Sequence, residues 1–139
     1  MSNLTPRPQT MENDRAFFER DLLDRFTRYA RMHTTSDPHV DSTPSTERQW
    51  DLARLLEREL RELGLHDVTL DDQCYLIARV PATAPGTPIG LMAHIDTAPD
   101  LSGENVQPQV HVNYDGGVIN LGDGEYRLDP DEYPMLTRY

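Results

Sequence analysis

A histidine and an aspartate stand two residues apart where an uncharged apolar segment gives way to a polar one, in His94-Ile95-Asp96. Side chains alternate between the two faces of an extended strand, so His94 and Asp96 are predicted to point to the same side and Ile95 toward the core. A carboxylate beside an imidazole fixes its tautomer and raises its basicity, as a metal-ligating histidine requires. The spacing therefore indicates either a metal ligand with its orienting acid or a chance pair in a loop.

The chain contains a second pair with this spacing, His39-Val40-Asp41. That pair lies among Pro, Ser and Thr residues with no apolar segment before it, so we predict a solvated loop. The pair at 94 and 96 instead follows a predicted buried strand, Ile89–Ala93, and precedes a predicted turn, Thr97–Asp100. Because α/β proteins place their chemistry at the carboxyl ends of buried strands, these surroundings favour His94 and Asp96 as the functional pair.

Composition narrows the classes of partner. The net charge is −11, from 24 acidic and 13 basic residues in a chain of 139, which makes nucleic acid and anionic lipid surfaces poor partners. No apolar segment approaches the ~20 residues of a membrane span, and no secretory signal pattern is present, so we predict no membrane association and a cytoplasmic location. The single cysteine, Cys74, excludes an internal disulfide and a cysteine-rich zinc site, and we predict that it is a small buried hydrophobe.

Two helices are predicted in the first half of the chain, after a disordered tail over residues 1–14. The first is predicted to end near Met32 or His33 and to pack an apolar stripe into the core, consisting of Phe18, Leu22, Phe26, Tyr29 and Ala30. The second begins with a capping box, Thr46 with Gln49, and stops at Gly64. Its predicted apolar face consists of Trp50, Ala53, Leu56, Leu60 and Leu63.

Short strands are predicted after the helices, at Val68–Leu70, Tyr75–Val80, Ile89–Ala93 and Val118–Leu121. Helices followed by mixed strands and one buried strand indicate the α/β class with layered packing. The sequence contains no phosphate-binding glycine loop, no Rossmann fingerprint, no Gly-x-Ser-x-Gly elbow and no His-Glu-x-x-His motif.

The stretch Ala93-His94-Ile95-Asp96-Thr97-Ala98-Pro99-Asp100, with Ser102-Gly103, resembles the two-zinc exopeptidase family. The His-x-Asp-Thr core of this stretch is shared across the family, and its continuation is closer to the tripeptide aminopeptidases. The resemblance extends over nearly all of the chain from Leu22 onward. The other matching stretches are Pro44–Glu47, Gln49-Trp50, Leu63–Leu65, Asp67–Leu70, Asn105-Val106, Pro108-Gln109, Asn113-Tyr114, Gly116-Gly117 and Tyr133-Pro134.

The resemblance implies a metal-dependent aminopeptidase that releases the N-terminal residue from tripeptides, so that the partner is a small peptide. It implies that His94 is a ligand of one Zn²⁺ and that Asp96 is the acidic residue conventionally assigned as catalytic. Two Zn²⁺ ions bridged by a water are expected in a complete site, with a glutamate as general base. The implied fold class is α/β: residues 15–139 would form the N-terminal part of a three-layer α/β/α zinc-exopeptidase catalytic domain, truncated.

The chain departs from the family in its ligand set, because the bridging Asp, the catalytic Glu, the other carboxylates and the second His come later in that family. Asp123, in Leu121-Gly122-Asp123-Gly124, lies too close to His94 and has the wrong neighbours to be the bridging ligand. We therefore expect this chain alone to be inactive. Another hydrolase of the family, a dipeptidase or an amide deacylase, and a non-catalytic binding module remain as alternatives.

Overall fold

The structure, a computed structural model, describes residues 11–138 and divides into two compact units, one extending to Pro108 and one beginning at Gln109. The elements of the first unit are α1 (Met11–Ala30), α2 (Gln49–Glu62), β1 (Val68–Leu70) and β2 (Leu76–Ala78). Those of the second are β3 (Ile119–Leu121), β4 (Tyr126–Leu128) and a 3₁₀ helix (Pro134–Thr137). Helices and strands thus occur together, as predicted for the α/β class. The three-layer arrangement of the domain stays a prediction. Neither α1 nor α2 has the length and apolar character needed to cross a bilayer.

The first helix differs from its prediction at both ends and along its apolar face. It begins at Met11, inside the segment predicted as a tail, and ends at Ala30; residues 1–10 of that tail lie outside the described residues. Phe18, Leu22 and Phe26 are exposed, so the prediction that they pack into the core is wrong. Helical periodicity identifies which residues share a face, but another surface must cover that face, and the described residues do not supply one.

A buried carboxylate joins the two helices. Glu59 on α2 is 8% exposed and accepts hydrogen bonds from the guanidinium groups of Arg25 and Arg28 and from the hydroxyl of Tyr29, all on α1. The distance from Arg28 Nη2 to Glu59 Oε1 is 2.7 Å. Burial of a carboxylate is costly unless it is paired and hydrogen-bonded, and here all three partners come from one helix. Polar contacts therefore connect α1 to α2 where apolar packing was expected.

Replacing this carboxylate should destabilise the first unit. We expect Glu59→Ala to lower the free energy of unfolding by about 2 kcal/mol, because hydrogen bonds to charged groups are lost and two guanidinium groups each lose one of their two carboxylate partners. Urea unfolding followed by circular dichroism measures the change. Glu57→Ala on the same helix is the matched control and should cost less than about 0.5 kcal/mol, since Glu57 only pairs with Arg61 one turn away. Equal losses in the two variants would contradict the role of Glu59.

The predicted start of α2 is wrong and its predicted end is confirmed. The N-cap is Arg48, without a side-chain cap hydrogen bond, because the Thr46 hydroxyl instead donates to the backbone oxygen of Thr35 at 3.0 Å. The helix ends before Gly64, whose φ of +89° is the left-handed conformation that glycine adopts without strain.

The buried face of α2 is only partly the predicted one. Ala53 of the predicted stripe is buried, whereas Leu63 is exposed. The other buried residues are Leu52 and two polar residues, Gln49 and Glu59. Because the face includes hydrogen-bonding side chains, apolar periodicity alone could not locate it.

The predicted strand Val68–Leu70 is confirmed as β1, whereas β2 covers only Leu76–Ala78 of the strand predicted at Tyr75–Val80. The strands are antiparallel, with Val68 opposite Ala78, and α2 packs against them. The Asp71 carboxylate shapes the connection by accepting hydrogen bonds from the backbone N–H groups of Gln73 and Tyr75, at 3.0 and 2.8 Å. Such a carboxylate-capped turn is a local device that the sequence specifies by itself.

The predicted buried strand Ile89–Ala93 is wrong. These residues form no regular element, and Ile89 and Leu91 are 88% and 96% exposed. A strand requires a neighbour for its backbone groups, and among the described residues no strand pairs with this segment, although the two-stranded sheet of β1 and β2 has open edges. An apolar segment thus predicts burial correctly only where the surrounding structure provides both a hydrogen-bonding edge and a covering layer.

The second unit is a small antiparallel hairpin. The strand predicted at Val118–Leu121 is confirmed as β3, and it pairs with β4 so that Ile119 lies opposite Leu128. The strand β4 was not predicted. Gly122 and Gly124 both have positive φ in the turn between the strands, a conformation that glycine adopts without strain.

Candidate functional site

The structure brings His94 and Asp96 into contact. Their side chains lie on the same side of the backbone, as predicted, with His94 Nδ1 3.1 Å from Asp96 Oδ1. The imidazole is 82% exposed, the carboxylate is 39% exposed and Ile95 between them is half-buried. The pair lies in a loop rather than at the end of a buried strand, and the two side chains nevertheless lie side by side.

The hydrogen bond determines what the imidazole can bind. When a neutral histidine donates from Nδ1 to a carboxylate, its proton resides on Nδ1 and the lone pair of Nε2 is available as a ligand. His94 Nε2 is presented on an exposed ring whose Nδ1 is bonded to Asp96. These two residues fit the roles of one Zn²⁺ ligand and the acid that orients it.

Backbone contacts with a distant loop hold the chain directly after this pair. Thr35 and Thr97 form an isolated parallel β-bridge. In it, Thr97 N donates to Thr34 O at 3.3 Å and Ser36 N donates to Thr97 O at 3.0 Å. The Ser36 hydroxyl also donates to Thr97 O, at 3.1 Å. Both backbone hydrogen-bonding groups of Thr97 are therefore satisfied by residues 34–36.

A glycine lies against the same bridge. Gly103 N donates to Thr35 Oγ1 at 3.0 Å, and a Cβ on Gly103 would lie 2.5 Å from that oxygen. No other residue type fits here without displacement of Thr35. Gly103 belongs to the Ser102-Gly103 stretch that carries the family resemblance, whereas no local sequence pattern marks Thr35 as its partner.

The other candidates for chemistry do not form a site. Across residues 14–138, no three His, Cys, Asp or Glu side chains converge as they would around a metal ion. His39 and Asp41 are exposed, which agrees with the solvated loop predicted for them. The described residues therefore bring together one imidazole and one carboxylate, His94 and Asp96, whereas a catalytic Zn²⁺ ordinarily has three protein ligands.

The lone cysteine has the burial of a packed side chain. Cys74 is 9% exposed, and this burial is the main reason that the pKa of its thiol lies above the ordinary value. Since the thiolate is the reactive form, a raised pKa reduces reactivity at neutral pH. The prediction that Cys74 is a buried hydrophobe is thus confirmed.

The burial of Cys74 can be tested by alkylation. We expect iodoacetamide at pH 8 to modify the folded chain more than about tenfold more slowly than the chain in urea, because burial withholds the sulfur and a higher pKa leaves less thiolate. Mass spectrometry reports the extent of modification without ambiguity of site, since the chain has one cysteine. Free cysteine in the same two buffers is the control for the intrinsic rate, and equal rates in the folded and unfolded chain would contradict the burial.

The chain is similar to peptidase T from several bacteria, and no family model matches it. It is 45% identical to peptidase T of Geobacillus thermodenitrificans over 124 residues, which is 87% of this chain and 30% of that protein. It is 50% identical to peptidase T of Shewanella sediminis over 119 residues, 85% of this chain and 29% of that protein. For Staphylococcus aureus strain JH9 the identity is 47% over 118 residues, with 84% and 29% covered. The chain spans about 30% of the length of these relatives.

Proposed function

We propose that this chain, which is related to peptidase T over 85–87% of its length, forms part of a metal-dependent aminopeptidase that releases the N-terminal residue from tripeptides. The supporting observation is the contact between His94 and Asp96. A match of 119 residues in a chain of 139 must include positions 94–96, so the pair lies within the related region. A small peptide is the substrate that the family resemblance implies. The proposal also agrees with the predictions, from charge and apolar pattern, of no nucleic acid or membrane partner and of a cytoplasmic location.

In this proposal His94 holds one Zn²⁺ through Nε2. Asp96 accepts the Nδ1 proton, which keeps the Nε2 lone pair directed outward and increases its basicity. Bound zinc ions supply a lowered pKa for the attacking water and polarisation of the scissile carbonyl. The remaining ligands and the glutamate general base would come from sequence that the relatives have and this chain does not span.

A chimeric enzyme tests the proposed roles. Residues of this chain replace the related part of the Geobacillus thermodenitrificans peptidase T, and release of the N-terminal residue from a tripeptide is measured with added Zn²⁺. We expect activity in the chimera, its loss in His94→Ala and a decrease of about 10- to 100-fold in Asp96→Asn, because an outer carboxylate that orients a ligand contributes this much. Inductively coupled plasma analysis should show reduced zinc content in both variants.

The second His-x-Asp pair provides the matched control for these variants. His39→Ala and Asp41→Asn make the same chemical changes on exposed residues of a solvated loop, and both should leave the activity of the chimera unchanged. A folded but inactive chimera, or equal effects at the two pairs, would contradict the proposal.

The isolated chain should not hydrolyse peptides. One ligand and its orienting acid do not complete a catalytic zinc site, so we expect no tripeptide cleavage by the purified 139-residue chain with Zn²⁺. Turnover that is abolished by a chelator and restored by zinc would contradict this expectation. The lack of a converging ligand group among residues 14–138 also favours the alternative of a non-catalytic binding module, for which the chimera would be inactive although folded.

A further inference from the structure

We infer that Thr35 is a positioning residue for the His94–Asp96 pair. Its hydroxyl contacts both Thr97 and Gly103, the two ends of the loop that begins directly after Asp96. The hydroxyl lies 3.2 Å from Thr97 Oγ1 and accepts a hydrogen bond from Gly103 N at 3.0 Å. The relevance of this contact to metal binding rests on the proposed function, whereas the hydrogen bonds themselves do not.

A single hydroxyl can serve both contacts. A threonine hydroxyl has one hydrogen to donate and two lone pairs with which to accept. In Thr35, one lone pair accepts from Gly103 N–H, so the hydrogen is free to be donated to Thr97 Oγ1. Thr97 and Gly103 are thereby both hydrogen-bonded to one oxygen atom, Thr35 Oγ1, which keeps the two ends of the loop 97–103 close together.

The geometry at Gly103 makes this closure specific. A Cβ there would lie 2.5 Å from Thr35 Oγ1 and 3.2 Å from Thr97 Oγ1. Both oxygens are on short β-branched side chains, which have few alternative rotamers. The glycine backbone consequently approaches the two hydroxyls more closely than any other residue could.

The hydrogen bonds of Thr35 can affect the His94–Asp96 pair because Thr97, the residue directly after Asp96, is held by residues 34–36. Before His94, the apolar residues Ile89 and Leu91 are almost fully exposed and belong to no strand. After Asp96, the next residue is bonded at its N–H and its C=O and is also contacted by the Thr35 hydroxyl. Loss of that hydroxyl should therefore loosen the direction in which Asp96 presents its carboxylate.

The tautomer of His94 gives a readout that general destabilisation would not produce. At an alkaline pH where histidine is neutral, ring ¹⁵N chemical shifts show which nitrogen carries the proton. The contact with Asp96 should hold the proton on Nδ1, whereas an unconstrained imidazole favours Nε2. We expect Thr35→Val to shift His94 toward the Nε2 tautomer and to speed amide hydrogen exchange at Gly103 by roughly 2- to 10-fold, as expected for one lost hydrogen bond.

Two further variants separate positioning from stability. Thr35→Ser retains the hydroxyl and should restore both the tautomer and the exchange rate of the unmodified chain. Thr46→Val removes a hydroxyl that donates to the backbone oxygen of Thr35 but does not touch residues 97–103, so it should leave the His94 tautomer unchanged. Exchange rates in β1 and β2 report whether each variant keeps the fold of the first unit.

The outcomes are distinct. A His94 tautomer that is unchanged in Thr35→Val, unrestored in Thr35→Ser, or shifted equally in Thr46→Val would overturn the inference. Failure of the proposed function is measured separately, as inactivity of the folded chimera, so the two results cannot be confused.

Discussion

The bridge between Thr35 and Thr97 is the contact on which the candidate site depends. It joins segments 62 residues apart, and it meets the backbone immediately after Asp96. Closing so long a loop costs conformational entropy, which the bridge offsets with several hydrogen bonds concentrated on one residue. The neighbouring Thr34 is 2% exposed, so part of this connection is shielded from water. The position of the carboxylate therefore depends on residues far from it in sequence.

The polar character of this connection matches the first unit as a whole. Across residues 14–108, the buried hydrophobic residues are Leu52, Ala53, Val68 and Cys74. The helices are joined instead through Glu59 and the two arginines that it binds. Apolar side chains of α1 and of the segment 89–92 are exposed, so hydrophobic burial contributes less here than the sequence pattern indicated. In such a structure, the loss of one hydrogen bond removes a large share of the interactions that hold the residues around it.

Features that depend on neighbouring residues could be predicted from the sequence. The β1–β2 hairpin, the left-handed glycine at Gly64 and the β3 strand are set by turn chemistry and short-range alternation. The contact between His94 and Asp96 belongs to the same group, because a spacing of two residues suffices to place both side chains on one side.

Features that need a distant partner could not be predicted. The apolar segment Ile89–Ala93 has the composition of a buried strand, but composition does not state which edge would pair with it. The capping box at Thr46 failed because the hydroxyl found the Thr35 carbonyl, a competitor eleven residues away. Similarly, Gly103 was noted as part of a motif, yet its requirement for a small residue follows only from the proximity of Thr35.

We propose that His94 is a metal ligand oriented by Asp96 in an enzyme related to peptidase T. A crystal structure of the chimeric enzyme with Zn²⁺ tests it most directly. We expect a Zn²⁺ ion at about 2.0–2.1 Å from His94 Nε2, with the Nδ1–Asp96 hydrogen bond retained. Zinc bound in the enzyme without His94 among its ligands, or with the Asp96 carboxylate turned away from the imidazole, would contradict it.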